Sequence, residues 1–523
     1  MKKTYYVTTP IYYVTDKPHI GHLYTTLAAD ILARYHRLLG DDVFFLTGTD
    51  EHGQKILKKA KETNETAQAL ADRVVKRYQE AWKHFGVEYD DFIRTTEERH
   101  KKVVKYFMAA LIESGDIYLS EYEGWYCVPD EMYWTESQIN DGKCPDCGRA
   151  VEKLKEESYF FRMSAYENQL LDYIDKNPNF IQPQTRKNEV LGFIKQGLKD
   201  ISVSRTTIPW GIDMPDNPKA SKKHCVYVWF DALTNYISAL GYLDDKTQFA
   251  KYWPEAVHIV GKDILRFHAV YWPTFLMALK LPLPKTIMAH GWLTDANRKI
   301  SKSLGNAVDP IELANRVGID GMRYFLFREF TFGQDGEYTE DILYRRINSD
   351  LANDFGNSVS RVISMIIKYL GNEAIDVQST LAKPSSLRDV ANQVQKDYGT
   401  YLDQFLFNKA LESVFTILAE ISKTIENSAP WQLAKSSEPK DKESLRDVLV
   451  HCHESLRIAS TWLIPFMPLS ALNALTQLGC NTTSTDKPYR WAESSLWGKG
   501  PTSVLVAKGS PLFPRLEIPK ANP

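Results

Sequence analysis

Cysteine is scarce in this sequence, at 6 residues in 523. That is too few for the disulfide framework of a small secreted scaffold. Three of the six, Cys127, Cys144 and Cys147, crowd into one short segment, which points to a metal and not to bridges. No uninterrupted apolar run approaches the roughly 18 residues of a membrane helix, so a helical span is excluded and no membrane partner is expected. The N-terminus reads Met1-Lys2-Lys3-Thr4-Tyr5-Tyr6-Val7. It lacks the apolar core and small-residue cleavage site of a signal peptide and the Arg/Ser bias of a transit peptide, and a cytoplasmic address is expected. Charge of one sign is also missing: 64 basic residues face 66 acidic ones, a net charge of −2. A polyanion would have to be held by local patches. Internal repeats and low-complexity tracts are absent. What remains is an ordinary globular composition, 43% hydrophobic and 25% charged, with length for three or four domains at about 150 residues each.

Residues 4 to 9 and 43 to 46 read as short buried strands. Between them Leu27, Ile31, Leu32, Tyr35, Leu38 and Leu39 recur at helical spacing up to Gly40, which makes a βαβ unit. Two more helices follow, ending before Gly86 and Gly115. Near residue 116 the pattern changes to turns, aromatics and the cysteine cluster. It resumes with strands at Val226–Phe230, 256–260 and 286–289, the last two separated by a helical run from Ile264 to Leu279. From about 345 to 480 long amphipathic segments dominate, as in Leu351, Phe355, Val359, Val362, Ile366 and Leu370. The predicted fold class is α/β: a doubly wound parallel (Rossmann-type) sheet split by an inserted domain, followed by an all-α helical bundle. The expected boundaries are 1–115 and 225–290 for the two halves of the sheet domain and 116–224 for the insertion, with a zinc-knuckle-like segment at 125–150. Residues 291–345 form a linking region, and 346–523 form the helical domain with an extended C-terminal peptide.

Two short motifs carry chemistry. His19-Ile20-Gly21-His22 follows the first strand and opens the first helix, where unsatisfied N–H groups and the positive dipole end suit a phosphate. Two imidazoles there can donate to a phosphoryl group as its charge grows, and Gly21 permits close approach of a nucleotide. The bland alternative is a pair of surface histidines in a turn. Lys299-Ile300-Ser301-Lys302-Ser303 lies in a polar loop after the last strand, and its two ammonium groups suit a triphosphate, acting with Mg2+ on departing pyrophosphate. A solvated basic loop is the plain reading of that run taken alone.

Taken together on opposite halves of one split sheet, the two motifs resemble those of the class I aminoacyl-tRNA synthetases. Further blocks are similar to the methionyl-tRNA synthetase family over essentially the whole chain: Thr47-Gly48-Thr49-Asp50-Glu51-His52-Gly53, Val226 to Leu233, Gly261-Lys262-Asp263 through Trp272-Pro273, and Ala429-Pro430-Trp431. The resemblance implies activation of L-methionine with ATP and Mg2+ to methionyl-adenylate, then transfer to the terminal ribose of tRNA(Met), with His19, His22, Lys299 and Lys302 as catalytic residues. His19, Gly21, His22, Gly261, Asp263, Lys299, Ser301 and Lys302 would bind ATP. A nucleotidylyltransferase sharing the His-x-Gly-His loop is the alternative enzyme, but it needs neither the helical domain nor an aromatic pocket. An RNA-binding relative without chemistry is the non-enzymatic one, and the intact histidines and lysines argue against it.

The matching segments would build an apolar, aromatic methionine pocket from Ile11, Tyr13, Trp229, Ala232, Leu233, Tyr236, Phe267, His268 and Trp272. Aromatic walls favour a polarisable thioether, although core packing would explain any one of these rings. Asp50, at a strand's C-terminal end, is suited to the substrate ammonium or, less specifically, to capping a helix. The family pattern puts Asp263 at the adenosine ribose or nearby, and Arg205 resembles a basic residue of the same site.

Cys127-x-x-Asp130 and Cys144-x-x-Cys147-Gly148 form a knuckle-like pair. Asp130 stands where single-knuckle relatives carry a fourth Cys. One structural Zn2+ on Cys127, Asp130, Cys144 and Cys147 is expected, against a degenerate knuckle with free thiols. In the helical region Asn357 and Arg361 share a helix face, and Trp431 offers a flat ring. With these three matching the family's anticodon-reading positions, recognition of the CAU anticodon is implied. The chain ends soon after Pro511-Leu512-Phe513-Pro514-Arg515, without the appended dimerisation domain of some relatives, so a monomer is expected.

Overall fold

The computed structural model describes residues 2–127, 132–134, 136, 139, 141–145, 148–206, 208–295, 298–299, 309–480 and 491–518. The extended, β-branched and aromatic start of the chain forms β1 (Thr4–Thr8) and β2 (Tyr12–Tyr13), and helix α1 (Ile20–Leu38) follows. Next come β3 (Asp42–Asp50), α2 (Gln54–Glu62), α3 (Ala67–His84), β4 (Asp91–Arg94) and α4 (Glu98–Glu113). The insertion supplies β5 (Ile117–Cys127), β6 (Met132–Trp134), β7 (Glu152–Phe161), α5 (Glu167–Lys176), β8 (Ile181–Gln182), α6 (Gln184–Ile194), β9 (Ile201–Ser202) and β10 (Ser204–Arg205). After β11 (Cys225–Val226) come α7 (Val228–Ser238), α8 (Thr247–Tyr252), β12 (Ala256–Gly261), a π-helical turn at Phe267–Tyr271, α9 (Trp272–Ala278) and β13 (Thr286–His290).

The chain divides into two compact units. One is made of Thr4–Pro18 and Val43–His290, the other of Met1–Lys3, His19–Asp42 and Gly291–Pro523. The first is built on a seven-stranded parallel sheet in the order β2-β3-β1-β12-β13-β8, with β4 beside β3. Register is set by pairs such as Tyr6 with Ala256 and Val260 with Ala289. Gly48 of β3 is required there, because a Cβ would lie 2.0 Å from the Ile93 carbonyl oxygen on β4. Most of the insertion forms a separate antiparallel sheet, β6-β5-β7-β9, yet its β8 pairs with β13 in the parallel sheet.

One predicted strand is overturned. Val226–Phe230 is extended only through Val226, and Val228 already begins α7. Nearly every side chain of α7 is buried, and a helix buried on all faces shows the same unbroken apolar run as a central strand.

In the second unit α1 ends at Leu38 before Gly40, whose φ of +83° only glycine adopts readily. Asp30 of α1 is buried and accepts a 2.6 Å hydrogen bond from buried Arg323 on the helix Ile319–Glu329. Arg323 also donates to the carbonyl oxygens of Phe466 and Pro465, which close the long helix Pro439–Leu463. Residues 340–370 form one continuous helix with a π-helical middle at Ile347–Gly356, and Leu351, Phe355, Val359, Val362 and Ile366 are its buried stripe. The helices Ser386–Asp403, Phe407–Ser428, Pro439–Leu463 and Pro468–Gln477 complete the bundle. The C-terminal peptide returns along it: Ser503–Val504 pairs with Ile375–Asp376, and Leu516 exchanges two 2.8 Å hydrogen bonds with Asn348. Among the described residues no helix is long and apolar enough to cross a membrane.

Candidate active site

In the sheet unit five of the aromatic residues singled out from the sequence converge, while the Tyr13 ring lies under the Lys55 ammonium instead. Trp229 on α7 and Phe267 on the π-helical turn stack with ring centroids 3.7 Å apart and planes 5° apart. His268 meets Trp229 edge-on at 6.4 Å, and Tyr236 lies 5.8 Å from His268 and 6.3 Å from Trp272. Ala232, Leu233, Tyr236, Phe267, His268 and Trp272 are buried, while Trp229, Tyr13 and Ile11 keep partial exposure. The result is a packed aromatic cluster with polar groups at few points.

Those polar groups have a fixed direction. His268 Nδ1 lies 2.9 Å from the Ile264 carbonyl oxygen, which can only accept, so this nitrogen carries the proton. Burial pushes the His268 pKa down to about 4, so the ring is neutral at pH 7 and Nε2 accepts from the Tyr236 hydroxyl at 2.8 Å. Behind Tyr236, at 4.1 Å, stacks the fully buried His258, also held well below the usual histidine range by burial and by the neighbouring His268. Its Nδ1 is 2.8 Å from Thr8 Oγ1 on the adjacent strand.

Asp50 is buried at the C-terminal end of β3. It does not cap the helix that follows: the N-cap of α2 is Gly53, with no side-chain cap hydrogen bond. The residues after it are held firmly. The Glu51 carboxylate accepts from Thr49 Oγ1 and from Nε and Nη2 of Arg94, its carbonyl accepts from Trp210 Nε1 at 2.6 Å, and Gly53 N–H donates to the Trp210 carbonyl. His52 Nδ1 donates to Asp231 Oδ2 at 2.7 Å, and His100 Nε2 is 2.7 Å from Asp231 Oδ1. Burial alone would raise the Asp231 pKa, but the charges and hydrogen bonds of the two histidines prevail and hold it at about 2. Asp231 is therefore a carboxylate. Buried Arg205 donates to Ser202 Oγ and the Ser204 carbonyl and lies over the Tyr227 ring, lining a cleft with His52, Tyr126 and Trp210. Asp263 is exposed just after β12, and a Cβ on Gly261 would come within 2.6 Å of its carboxylate.

In the other unit His19 and His22 form a reciprocal cap at the start of α1. Gly21 N–H donates to His19 Nδ1 and His19 N–H donates to His22 Nδ1, with the rings stacked at 3.8 Å. Both Nδ1 atoms accept, so the neutral rings carry their proton on Nε2, the nitrogen from which a phosphoryl oxygen can receive a hydrogen bond. The space beside Gly21 is taken up by the His19 ring, whose Cε1 would lie 2.9 Å from an added Cβ. Lys299 is described only as backbone of the short strand Arg298–Lys299, and Ser301 and Lys302 lie outside the described residues. In the same unit Asn357 is exposed and Arg361 half-buried. Trp431 is 40% exposed on the one-turn helix Pro430–Leu433, so it is no core residue.

Cys127 and Cys144 are buried thiols, and Asp130 and Cys147 lie outside the described residues. Around Cys144 the backbone makes a tight turn. Cys144 N–H donates to the Arg149 carbonyl, Gly148 N–H donates to the Cys144 carbonyl, and Gly148 takes a φ of +70°. A turn of that form is the one a paired-ligand zinc knuckle needs. Among the described residues no cluster of three or more His, Cys, Asp or Glu could hold a metal.

The sequence reading meets His52 and Asp231 only as members of family-like blocks, with no role of their own, and does not reach His100 or His258. The available signal was a polar residue inside an apolar run, Asp231 in Val-Trp-Phe-Asp-Ala-Leu and His258 in Ala-Val-His-Ile-Val.

A family model described as tRNA synthetases class I (M) matches residues 5–154 and 147–363. The chain is 48% identical over 528 residues to a methionine--tRNA ligase of Caldanaerobacter subterraneus subsp. tengcongensis, covering 99% of this chain and 80% of that one. It is also 48% identical over 529 residues to that of Bacillus subtilis, covering 98% and 78%. Among solved structures, Mycobacterium tuberculosis methionyl-tRNA synthetase in complex with methionyl-adenylate superposes with a TM-score of 0.89 at 40% identity, over 98% of this chain and all of the other. Its apo form gives 0.84 at 37% identity, over 99% of each.

Proposed function

The chain belongs to the class I methionyl-tRNA synthetases, and we propose that the residues described above divide its work as follows. The reaction is activation of L-methionine with ATP to methionyl-adenylate and pyrophosphate, then transfer of the methionyl group to tRNA. Methionine enters the pocket of Tyr13, Trp229, Ala232, Leu233, Tyr236, Phe267, His268 and Trp272, with Ile11 at its edge, and its ammonium is held by Asp50. The stacked Trp229–Phe267 pair beside a neutral His268 carries this reading. Polarisable rings suit a thioether, and a pocket whose imidazole is uncharged imposes no charge on an apolar side chain.

The methionine carboxylate attacks the α-phosphorus in line. A C–O–P link forms, the bond to the β-phosphoryl oxygen breaks, and pyrophosphate leaves. His19 and His22 donate from Nε2 as charge grows on the phosphoryl oxygens; Lys299, Ser301 and Lys302 bind the departing pyrophosphate. Mg2+ enters with ATP as part of the substrate. Gly21 and Gly261 belong with these side chains to the ATP site, and Asp263 accepts from the adenosine ribose hydroxyls. Arg205 supports the same site. In the second step a terminal ribose hydroxyl of tRNA attacks the methionyl carbonyl and AMP leaves. Asn357, Arg361 and Trp431 read the CAU anticodon of tRNA(Met), the ring stacking on a base and the polar pair addressing base edges.

Residues 1–115 and 225–290 are the two halves of the catalytic domain on this reading, 116–224 the connective insertion, 291–345 the link and 346–523 the anticodon-binding region. The buried thiols of Cys127 and Cys144 and the knuckle turn fit a zinc site completed by Asp130 and Cys147. A bound zinc there would staple the tip of the insertion. We further propose a cytoplasmic monomer. Pyrophosphate exchange with a panel of amino acids tests the first step, and charging of tRNAs with altered anticodons tests the second. Exchange driven equally well by leucine or isoleucine, or charging indifferent to CAU, would overturn the assignment.

A further inference from the structure

Asp231 is a charged group in the middle of an apolar helix, fully buried, on the same helix α7 as Trp229, Ala232, Leu233 and Tyr236. Its two oxygens go to two different elements. Oδ2 accepts from His52, two residues beyond Asp50 at the end of β3, and Oδ1 meets His100 at the start of α4. His100 turns its other nitrogen back to Ser238 Oγ, at the far end of α7, at 2.8 Å. The strand end that presents Asp50 and the helix that presents the aromatic wall are thus tied through one carboxylate, and α7 is gripped at both ends. An apolar side chain of similar size would fill the space as well, and breaking a buried pair on one side leaves an uncompensated charge. Directional hydrogen bonds at 2.7 Å add what packing does not, a fixed distance and angle between two walls of a pocket.

We propose that Asp231, His52 and His100 are positioning residues for methionine, holding Asp50 and the Trp229–Tyr236 face of α7 at the separation that lets one ligand meet both. This rests on the pocket being the methionine site. Misplacing one wall weakens the contacts of the ligand that spans both walls and leaves the nucleotide contacts in place. The signature is therefore a raised KM for methionine with little change in KM for ATP.

The test compares side chains that keep or lose one nitrogen. In His52→Asn the amide nitrogen takes the place of Nδ1 and can still donate to Asp231. In His52→Gln it sits one carbon further out, with similar polarity and a similar chance of folding; His52→Leu removes the donor. By pyrophosphate exchange, corrected for active-enzyme concentration, His52→Asn is expected within about threefold of wild type in KM for methionine. His52→Gln and His52→Leu are expected to be raised about tenfold or more, with KM for ATP within about twofold. Trp229→Ala reports on the pocket itself and should raise the same constant. Equal KM values for the Asn and Gln variants, or losses confined to kcat and melting temperature, would overturn the positioning role while a raised KM in Trp229→Ala leaves the pocket standing. A wild-type KM in Trp229→Ala would overturn both.

Discussion

Replacing Trp431 with alanine separates tRNA recognition from methionine activation, and Trp462 of the same bundle provides the control. Trp431 is 40% exposed, whereas Trp462 is 5% exposed and lies with its ring 4.7 Å from that of Tyr398. Truncating Trp431 removes part of a buried area and leaves no enclosed cavity, a cost of roughly 1 to 2 kcal/mol in stability. Truncating Trp462 opens a cavity and should cost about 3 to 5 kcal/mol. If Trp431 stacks on an anticodon base, its loss should weaken tRNA binding by about 1 to 3 kcal/mol, or roughly 5- to 150-fold. Trp431→Ala is therefore expected to charge tRNA poorly at limiting tRNA while its tRNA-independent pyrophosphate exchange stays near wild type. Trp462→Ala should lower the melting temperature substantially and both activities with it. Three measurements on each variant suffice: exchange rate, KM for tRNA in charging, and melting temperature. If Trp431→Ala behaves like Trp462→Ala, with exchange and charging falling together, the stacking argument is refuted and anticodon reading would rest on Asn357 and Arg361.

Three further outcomes are expected. His22→Ala and Lys302→Ala should each slow adenylate formation by about 10²-fold or more with a smaller effect on methionine affinity, measured by single-turnover kinetics and equilibrium binding; wild-type rates in either would remove that residue from catalysis. Elemental analysis of protein purified without chelators should find close to one zinc per chain, and less than about a tenth would favour the degenerate knuckle. Because the folded-state pKa of His268 is about 4, below its ordinary 6.5, the unfolded chain takes up the proton first as pH falls. Its contribution is present above pH 6.5 and is lost down to about pH 4, a loss of about 3 kcal/mol at 1.36 kcal/mol per unit. Denaturant unfolding of wild type and His268→Asn should therefore converge with acidification, and parallel curves would contradict the buried neutral imidazole.

Local chemistry was the legible part of this sequence. The His-Ile-Gly-His loop could be read because its four residues sit in one helix turn, and the structure brings His19 and His22 into stacking contact through that turn's own backbone. The α/β class, though not the order of the strands, followed from strand–helix alternation. The start of α7 was misread because a helix buried on every side loses the polar stripe that marks a helix in sequence. The Asp231 cluster was missed for another reason: His52 and His100 lie 179 and 131 residues from the carboxylate they share, and no spacing rule connects residues at that separation. The exposure of Trp431, which decides between stacking platform and core residue, depends on how neighbouring helices cover it, and a one-turn helix entered through the left-handed Ala429 (φ +43°) leaves it uncovered.

The two residues of β8 change what it means to edit this chain. Because Ile181–Gln182 leaves the insertion to lie against β13, the insertion is stitched into the parallel sheet. A deletion that spliced residue 116 directly to 225 would strip β13 of its neighbour on the side away from β12 and bare backbone N–H and C=O groups along that edge of a buried, apolar strand, an edge prone to pairing with other molecules. Any attempt to shorten the enzyme, or to exchange its insertion with that of a relative, has to carry a strand for that edge along with it. Variation in length is then tolerated on the β5–β7 side, where the antiparallel sheet has its own hydrogen bonds, and penalised between β7 and β9, where the chain must travel out to the main sheet and back.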